Sequence, residues 1–318
     1  MLKQPLVSII MNCFNGEQFI KEAIDSVYAQ TYSNWEIIFW DNASSDNSYK
    51  IASSYDAKVK LFKSQQTSSL GEARRNAIKN AKGEWLAFLD VDDIWLPEKL
   101  EHQMLGLIDS DYILSYCGIA EVDQNLNVIR NLTPYLESGE QFLLQLQFFE
   151  INLVTAVINR HKLIELGIDF DERMQASEEY DLFLMLLSHG GSVFVCNDVL
   201  ALYRVHNESL TYQKMERWSI ERRITLEKLA ANIPKLEESE AYEVALRQAD
   251  YYEACFLMVN GNQIDARTLL IKHKTHKSFR ILAYITFIPW LWKTLHNPLL
   301  KKRLTSLLSS FSSFKKVS

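Results

Sequence analysis

The chain has 318 residues, of which 47% are hydrophobic and 23% are charged, the balance of an ordinary globular protein. The length is sufficient for one large domain, or for a domain of about 200 residues with an appendage. The net charge of -6 is unevenly divided, because no acidic residue follows Asp265, so the chain carries -17 up to Asp265 and +11 beyond it. The basic tail predicts contact with an anionic surface, and without a recognisable binding module it argues against nucleic acid.

The four cysteines lie far apart and form no CxxC pair. This spacing argues against a disulfide framework or a thiolate zinc site, and it favours a reducing compartment. The first five residues lead directly into an apolar run without a processing site, so we expect no signal peptide.

The first hundred residues alternate between short apolar runs and segments with helical spacing. The apolar runs predict strands at 6–11, 36–40, 59–62 and 85–89. The helical spacing predicts helices that begin near residues 19, 47, 71 and 97. Strands and helices in this alternation predict an α/β fold with a doubly wound, mostly parallel, Rossmann-like sheet.

The pattern changes after residue 110. Shorter strands are expected at 112–117, 119–122, 128–130, 193–196 and 199–204, with helices at 140–149 and 178–187. From about residue 212 onward the pattern is helical to the end. This change predicts a catalytic domain over residues 1–210 and a helical C-terminal region over residues 211–318.

Three of the predicted strands end in polar clusters, at residues 12–15, 41–46 and 90–93. Ligands of open α/β sheets bind beyond the carboxyl ends of the strands. Asp90 and Asp92 lie two residues apart and would project on the same side of an extended segment. Three carboxylates within four residues repel each other unless a cation compensates, and Mg²⁺ or Mn²⁺ is the natural partner. From these residues alone, a solvated acidic turn is an equal alternative.

The order and spacing of these segments resemble the family 2 glycosyltransferases of the GT-A fold, over roughly residues 5–210. The matching runs are 7–15, 30–32, 34–36, 41–46, 73–76, 81–85 and 88–97. The resemblance implies an inverting transferase that moves a sugar from a nucleotide-sugar, usually a UDP-sugar, to a hydroxyl. The acceptor would be a lipid-linked or cell-surface glycan, and the enzyme would work in the cytoplasm at the inner face of the cell membrane.

The resemblance also implies which residues bind the nucleotide. Asp41 would accept a hydrogen bond from the base, with Asn12 and Phe14 lining that end of the pocket. Phe14 is equally suited to the core. Arg75 would face the nucleotide, and the alternative for this residue is a surface ion pair.

Further along, the resemblance implies the metal site. Asp90 and Asp92 would hold the ribose and the metal, and the direct ligand to Mn²⁺ or Mg²⁺ would be Asp92 or Asp93. Arg204 and His206 resemble the family's closing segment, in which such residues meet the metal or the diphosphate. A lone histidine is, taken by itself, more often structural.

The catalytic base is expected at the start of the helix that begins near residue 178. Glu179 occupies the position of the family's catalytic Asp, which is a departure from the pattern because Glu is one methylene longer. Glu178 and Asp181 are therefore open alternatives. Ser177 and the acidic residues could instead merely cap the helix and suit its dipole.

The tail contains a dozen apolar and aromatic residues at 281–292, too short to span a bilayer and interrupted by Pro289. Its basic flanks and paired tryptophans favour a helix that lies in the headgroup region of an anionic membrane. Packing on the catalytic domain, or an interface between two copies of the chain, is the alternative.

Two other functional classes fit a paired-carboxylate α/β protein. A nucleotidyltransferase would carry a glycine-rich loop with a basic residue near the N-terminus, where this chain has the run 12–16 instead. A non-catalytic module that binds sugar nucleotides is suggested by Glu179 in place of the expected Asp.

Overall fold

The protein is described by a computed structural model that covers residues 4–205 and 215–296. The strands in these ranges are β1 (Val7–Cys13), β2 (Trp35–Asp41), β3 (Val59–Lys63), β4 (Trp85–Phe88), β5 (Ile94–Trp95), β6 (Tyr112–Val122), β7 (Val128–Leu132), β8 (Gly139–Glu140), β9 (Val157–Asn159) and β10 (Ser192–Arg204). The helices are α1 (Ile20–Tyr28), α2 (Ser48–Ala52), α3 (Leu70–Ile78), α4 (Lys99–Leu107), α5 (Phe142–Gln147), α6 (Arg160–Leu166), α7 (Glu178–Ser188), α8 (Met215–Asn232), α9 (Glu240–Val259), α10 (Gln263–Lys272), α11 (Lys277–Ile285) and α12 (Pro289–His296).

A central sheet runs in the order β3-β2-β1-β4-β9-β6-β10-β5, with β7 beside β6 and β8 beside β10. The first four strands are parallel, and β6 is parallel to β10, whereas β9 runs antiparallel to both β4 and β6. The structure thus confirms the expected α/β class with a mostly parallel sheet and a helical C-terminal region. Because the parallel strands end at one edge, the three polar clusters come together there.

The apolar runs of β1 and β2 are explained by burial on both faces of the sheet. Ile9 packs in the core formed with α1, while its neighbour Ile10 packs in the core on the opposite face. Successive strand residues point to opposite faces of the sheet. A strand covered by helices on both faces is therefore apolar throughout and shows no alternation of polar and apolar residues.

Two predicted interruptions in the strands do not exist. The sheet contains a continuous β6 and a continuous β10, where the sequence predicted two short strands in each place. Where the sequence predicted a gap in β10, the strand has a bulge between Cys196 and Val199, and this bulge leaves Asp198 at the surface. A bulge keeps the strand paired while it breaks the alternation that sequence patterns detect.

The C-terminal helices pack directly on the preceding domain. Leu226 and Leu229 of α8 form a buried cluster with Leu146 of α5 and with Tyr180 and Leu184 of α7. A second cluster joins α9, α10, α11 and α12. No helix in the described ranges is both long enough and apolar enough to cross a bilayer. The predicted boundary at residue 210 lies outside the described residues.

Candidate active site

A cleft of about 820 Å³ opens beyond the carboxyl ends of β1 and β4. One wall is formed by the loops that follow these strands, including Asn12 and the turn at Asp90–Asp93. The opposite wall contains Glu179 from the start of α7, together with Trp218 and Arg222 from α8. The C-terminal helical region therefore contributes side chains to the same cleft as the strand ends.

The acidic segment after β4 is a tight turn, in which the Asp93 amide donates a hydrogen bond to the Asp90 carbonyl at 3.1 Å. The alternation expected for an extended segment therefore does not apply, although all three aspartates line the cleft. Asp93 is the most buried of them, at 2% exposure. Its burial and the neighbouring carboxylates of Asp92 and Asp90 raise the pKa of Asp93 well above its usual range.

Such a cluster fits a divalent cation. Buried or mutually repelling carboxylates are stabilised in their charged form when a cation binds between them. Asp92 is partly exposed at the cleft wall, whereas one oxygen of Asp93 already accepts the Arg204 amide. Asp92 and Asp93 are therefore the residues here that could hold Mg²⁺ or Mn²⁺, both of which prefer oxygen ligands.

Arg204 holds this turn in place from behind. The Arg204 amide donates to Asp93 Oδ1 at 2.9 Å, and its Nε donates to the Asp92 carbonyl at 2.8 Å. Its Nη2 donates to Glu22 at 2.7 Å, and the side chain is buried and absent from the cleft lining. The structure thus gives Arg204 a positioning role in place of the predicted contact with the nucleotide. His206 lies outside the described residues.

Asn12 and Phe14 lie at the end of the cleft that the sequence predicted for the base. Phe14 is 54% exposed and lines the cleft, so it is not a core residue. Asn12 is 8% exposed, and neither atom of its buried side-chain amide has a hydrogen-bond partner among the described residues. Buried amides are ordinarily satisfied, so this one is suited to a ligand.

Asp41 differs from its predicted role. It is fully buried at the end of β2, where one oxygen accepts the Ser44 amide at 2.9 Å and the other lies 3.2 Å from Lys63 Nζ. The residue that follows it, Asn42, lines the cleft. In this structure Asp41 shapes the loop after β2 and is not among the residues that line the cleft.

Arg74 links the two acidic elements of the cleft. This buried guanidinium donates through Nη2 to both oxygens of Asp90, at 2.8 and 3.0 Å, and through Nη1 to Glu178. It therefore ties the Asp90–Asp93 turn to the first residue of α7. The other oxygen of Glu178 is buried without a hydrogen-bond partner among the described residues.

The adjacent Arg75, which was expected to face the nucleotide, lies outside the cleft lining. It pairs with Asp169 at 3.1 Å and with Glu172 at 3.0 Å, as the alternative interpretation of a surface ion pair proposed. Neighbouring residues of a helix point about 100° apart, so Arg74 and Arg75 cannot both face the cleft. The resemblance had implied Arg75 as the residue at the nucleotide, and the structure places Arg74 in the cleft lining instead.

Glu179, the second residue of α7, lines the cleft. Burial raises the pKa of Glu179 above its ordinary value, while the positive charges of Arg74 and Arg222 lower it. A partly buried carboxylate with a raised pKa is suited to accept a proton. Glu178 also lines the cleft, but its ion pair with Arg74 occupies it.

Asp181 points away from the cleft, although it was an alternative for the base. It is 1% exposed, accepts a hydrogen bond from Thr225 at 2.8 Å, and pairs with Lys228 Nζ at 2.6 Å. Both partners belong to α8, so Asp181 anchors α7 to that helix. An ion pair with this geometry leaves no oxygen of Asp181 facing a substrate.

The start of α7 is held by Glu221, which the sequence analysis did not identify. Its carboxylate accepts the amides of Gln175, Ala176 and Ser177 at 2.8–2.9 Å. The Ser177 side chain makes no capping hydrogen bond, so the expected Ser cap is replaced by a carboxylate from α8. An acidic group near a helix N-terminus also suits the helix dipole.

Comparison with known proteins shows which family and which solved structures the chain resembles. The family model described as "Glycosyl transferase family 2" matches residues 8–167. An uncharacterised glycosyltransferase of Rickettsia typhi is 35% identical over 213 residues, which span 65% of this chain and 66% of the relative. The UDP-Glc:alpha-D-GlcNAc-diphosphoundecaprenol beta-1,3-glucosyltransferase WfgD of Escherichia coli is 32% identical, over 66% of this chain and 81% of the length of WfgD.

Among solved structures, S. aureus TarS 1-349 in complex with UDP-GlcNAc is similar in fold. It aligns with a TM-score of 0.64 and 17% identity over 93% of this chain and 91% of TarS 1-349. The alignment extends through the C-terminal helices, beyond the region that the family model matches.

Proposed function

The chain belongs to glycosyl transferase family 2, and we propose that it transfers a sugar from a UDP-sugar to a hydroxyl of a lipid-linked or cell-surface glycan. The observation that carries the proposal is the meeting of the Asp90–Asp93 turn and Glu179 in one cleft, with Arg74 bridging the two elements. A donor-binding group and a base must both reach the same reacting carbon, so their presence in one cleft supports the proposal.

The donor would lie along the strand ends. Asn12, with its unsatisfied amide, and the exposed ring of Phe14 would contact the base, and Asn42 would take the place expected for Asp41. Asp92 and Asp93 would hold Mn²⁺ or Mg²⁺. When bound, that ion supplies positive charge to the diphosphate and makes the nucleotide a better leaving group.

The base would be Glu179. Its carboxylate would take the proton of the acceptor hydroxyl as that oxygen forms a bond to the anomeric carbon, while the bond from this carbon to the diphosphate oxygen breaks. Attack from the face opposite the leaving group inverts the carbon. Burial raises the pKa of Glu179, which strengthens its carboxylate as a proton acceptor, while the positive charges of Arg74 and Arg222 oppose that rise.

The acceptor would occupy the end of the cleft formed by α8. The Trp218 indole offers a surface for the apolar face of a sugar ring. The Arg222 guanidinium lies over the Tyr180 ring at 4.1 Å and close to Tyr252 at 5.0 Å, and its Nε has no hydrogen-bond partner among the described residues. An arginine held by aromatic rings is suited to bind phosphate. WfgD is named for an acceptor linked through a diphosphate, which supports this class of acceptor.

The outer face of α11 and α12 would contact an anionic bilayer at the inner face of the cell membrane. Ala283 and Trp292 pack inward, which agrees with the alternative of packing on the preceding helices. Tyr284 and Trp290, however, are 68% and 69% exposed, and Arg280 is exposed beside them. Aromatic side chains with basic neighbours are typical of a helix that lies in the headgroup region.

Transfer and hydrolysis assays with UDP-, GDP- and dTDP-sugars, in Mn²⁺, Mg²⁺ and EDTA, test the proposed reaction. We expect release of UDP that depends on a divalent ion and is inhibited by EDTA. Release of pyrophosphate would favour a nucleotidyltransferase. Binding of the sugar nucleotides without turnover, over the full panel and with a glycan-diphosphate-lipid acceptor, would favour a non-catalytic module.

Sedimentation with phosphatidylglycerol vesicles tests the membrane contact. The variant Tyr284→Ser/Trp290→Ser should bind such vesicles less than the unchanged chain, and neither should bind phosphatidylcholine vesicles. Leu105→Ser/Ile164→Ser is the matched control, because both of these side chains are 61% exposed on other faces. Equal binding by the two double variants would contradict the proposed surface.

A further inference from the structure

We propose that His102, Cys196 and Asp198 form a zinc-binding site that is separate from the cleft. One donor atom from each residue lies within 4.8 Å of the other two, and none of the three residues lines the cleft. His102 Nδ1 lies 3.0 Å from Asp198 Oδ2, and Cys196 Sγ lies 3.8 Å from the same oxygen. The set combines nitrogen, sulfur and oxygen ligands.

The distances are close to those of a tetrahedral metal centre. With bonds of about 2.0–2.1 Å to nitrogen and oxygen and about 2.3 Å to sulfur, ligand atoms around zinc lie roughly 3.4–3.6 Å apart. The distance of 3.0 Å from His102 Nδ1 to Asp198 Oδ2 and that of 3.8 Å from Cys196 Sγ to the same oxygen differ from this ligand spacing by a few tenths of an ångström. Small rotations of the exposed His102 and Asp198 side chains would therefore close the set, with water as a fourth ligand.

The choice of ion follows from the ligands. Thiolate and imidazole favour zinc, whereas the magnesium and manganese expected at Asp92 and Asp93 prefer oxygen ligands alone. The sequence shows no compact ligand motif for this site, because His102 and Asp198 are 96 residues apart. They meet because α4 packs beside the bulge of β10.

The same three residues do not form a nucleophilic triad. A reactive thiol needs a base beside it and a lowered pKa. Here the thiol lies next to the Asp198 carboxylate, and burial raises the pKa of Cys196, although the nearby charge of Lys99 lowers it. A cation that binds the thiolate relieves both the repulsion from Asp198 and the cost of deprotonation.

A zinc ion at this place would tie α4 to β10. The Asp90–Asp93 turn is connected to α4 through β5, and β10 ends at Arg204, which holds that turn. Zinc would therefore stabilise the elements on both sides of the turn without contacting a substrate. We expect an increase in thermal stability on binding.

Cobalt titration of the full chain, after chelator treatment, tests the site because thiolate–cobalt bonds give a charge-transfer band in the near ultraviolet. We expect one such cobalt per chain, loss of the band in Cys196→Ser, and retention of it in Cys255→Ser. His102→Ala, which alters an exposed side chain, should weaken zinc binding roughly tenfold or more. Zinc should raise the Tm of the unchanged chain but not that of Cys196→Ser.

Asp92→Asn separates this site from the cleft, where oxygen ligands give no thiolate band. It should keep the band and the increase in Tm. The proposal is overturned if the unchanged chain gives no band, if the band persists in Cys196→Ser, or if His102→Ala binds zinc as tightly as the unchanged chain. Far-ultraviolet circular dichroism of the metal-free variants establishes that they are folded.

Discussion

Replacing Arg74 with methionine removes the guanidinium that bridges Asp90 and Glu178 while keeping a side chain of similar length. Glu178 is 2% exposed, and one of its oxygens already has no hydrogen-bond partner among the described residues. Removing one member of a buried ion pair costs about 3–5 kcal/mol, because the other charge is left buried without compensation. That is a large part of the roughly 5–15 kcal/mol that stabilises a domain.

Arg75→Met is the matched control, since it changes the next residue of the same helix. Arg75 is 39% exposed, and its pairs with Asp169 and Glu172 are surface pairs, worth about 0–1 kcal/mol. Urea unfolding should therefore separate the two variants by about 2–5 kcal/mol. Adding Glu178→Gln to Arg74→Met should recover part of the loss, because a neutral amide is less costly to bury than a carboxylate.

Arg74→Met should also change the pH dependence of transfer. Among the groups that lower the pKa of Glu179, Arg74 has the largest effect, so its removal raises that pKa further. A general base acts when it is ionised, so activity is lost as the pH falls through its pKa. The acidic limb of the pH–rate profile should therefore move to higher pH. Equal stabilities and equal pH profiles for Arg74→Met and Arg75→Met would refute the bridging role.

Three further changes test other parts of the account. Arg222→Met should move the acidic limb of the pH–rate profile to higher pH, because Arg222 also lowers the pKa of Glu179; an unchanged limb would argue against their proximity. Trp218→Ala should raise KM for a water-soluble glycan acceptor while UDP affinity, measured by calorimetry, stays the same; a loss of UDP affinity would place Trp218 at the donor instead. Gly71→Ala should lower the free energy of unfolding, measured in urea, by roughly 1–3 kcal/mol, because the added Cβ would overlap the carbonyl oxygen of Asp171; an unchanged free energy of unfolding would mean that this contact relaxes freely.

The predictions from sequence succeeded where burial leaves a simple pattern. The strands near the N-terminus are covered by helices on both faces, so their apolar runs matched β1, β2 and β4 within two residues at each end. The acidic cluster after β4 was predicted to lie at the strand ends, and all three aspartates line the cleft there, while their binding of a ligand stays a prediction. Short elements such as β9, with three residues, are too brief to show a period.

The roles of individual side chains depended on contacts that the sequence does not encode locally. Asp181 looked equivalent to Glu179, but Lys228, 47 residues further along the chain, pairs with Asp181 and removes it from the cleft. Arg204 was expected to meet a ligand, and its five-donor guanidinium is instead taken up by the protein, including the Asp92 carbonyl. Arg222 was missed because nothing near it in sequence resembles a motif.

The role of Arg74 was not predicted, although the sequence contains a pattern that indicates it. The matched run 73–76 includes both arginines, and the resemblance implied Arg75 at the nucleotide, whereas Arg74 is the one that lines the cleft. A signal was present, because Ala73 and Ala77 mark the buried face of α3 and Arg74 lies beside them on that face, whereas Arg75 is partly exposed. The helical phase of α3 therefore favours Arg74 as the residue that faces the cleft.

The most direct test of the account is the turnover of Glu179→Gln, a change that keeps the shape of the side chain but removes its ability to accept a proton. We predict that kcat for sugar transfer falls by roughly 10²–10⁴-fold, while UDP-sugar affinity measured by calorimetry stays within a few-fold. Glu179→Asp, which introduces the residue that the family carries at this position, serves as the control and should retain more activity than Glu179→Gln. Transfer by Glu179→Gln at the rate of the unchanged chain would contradict the assignment of the base and, with it, the proposed chemistry of the cleft.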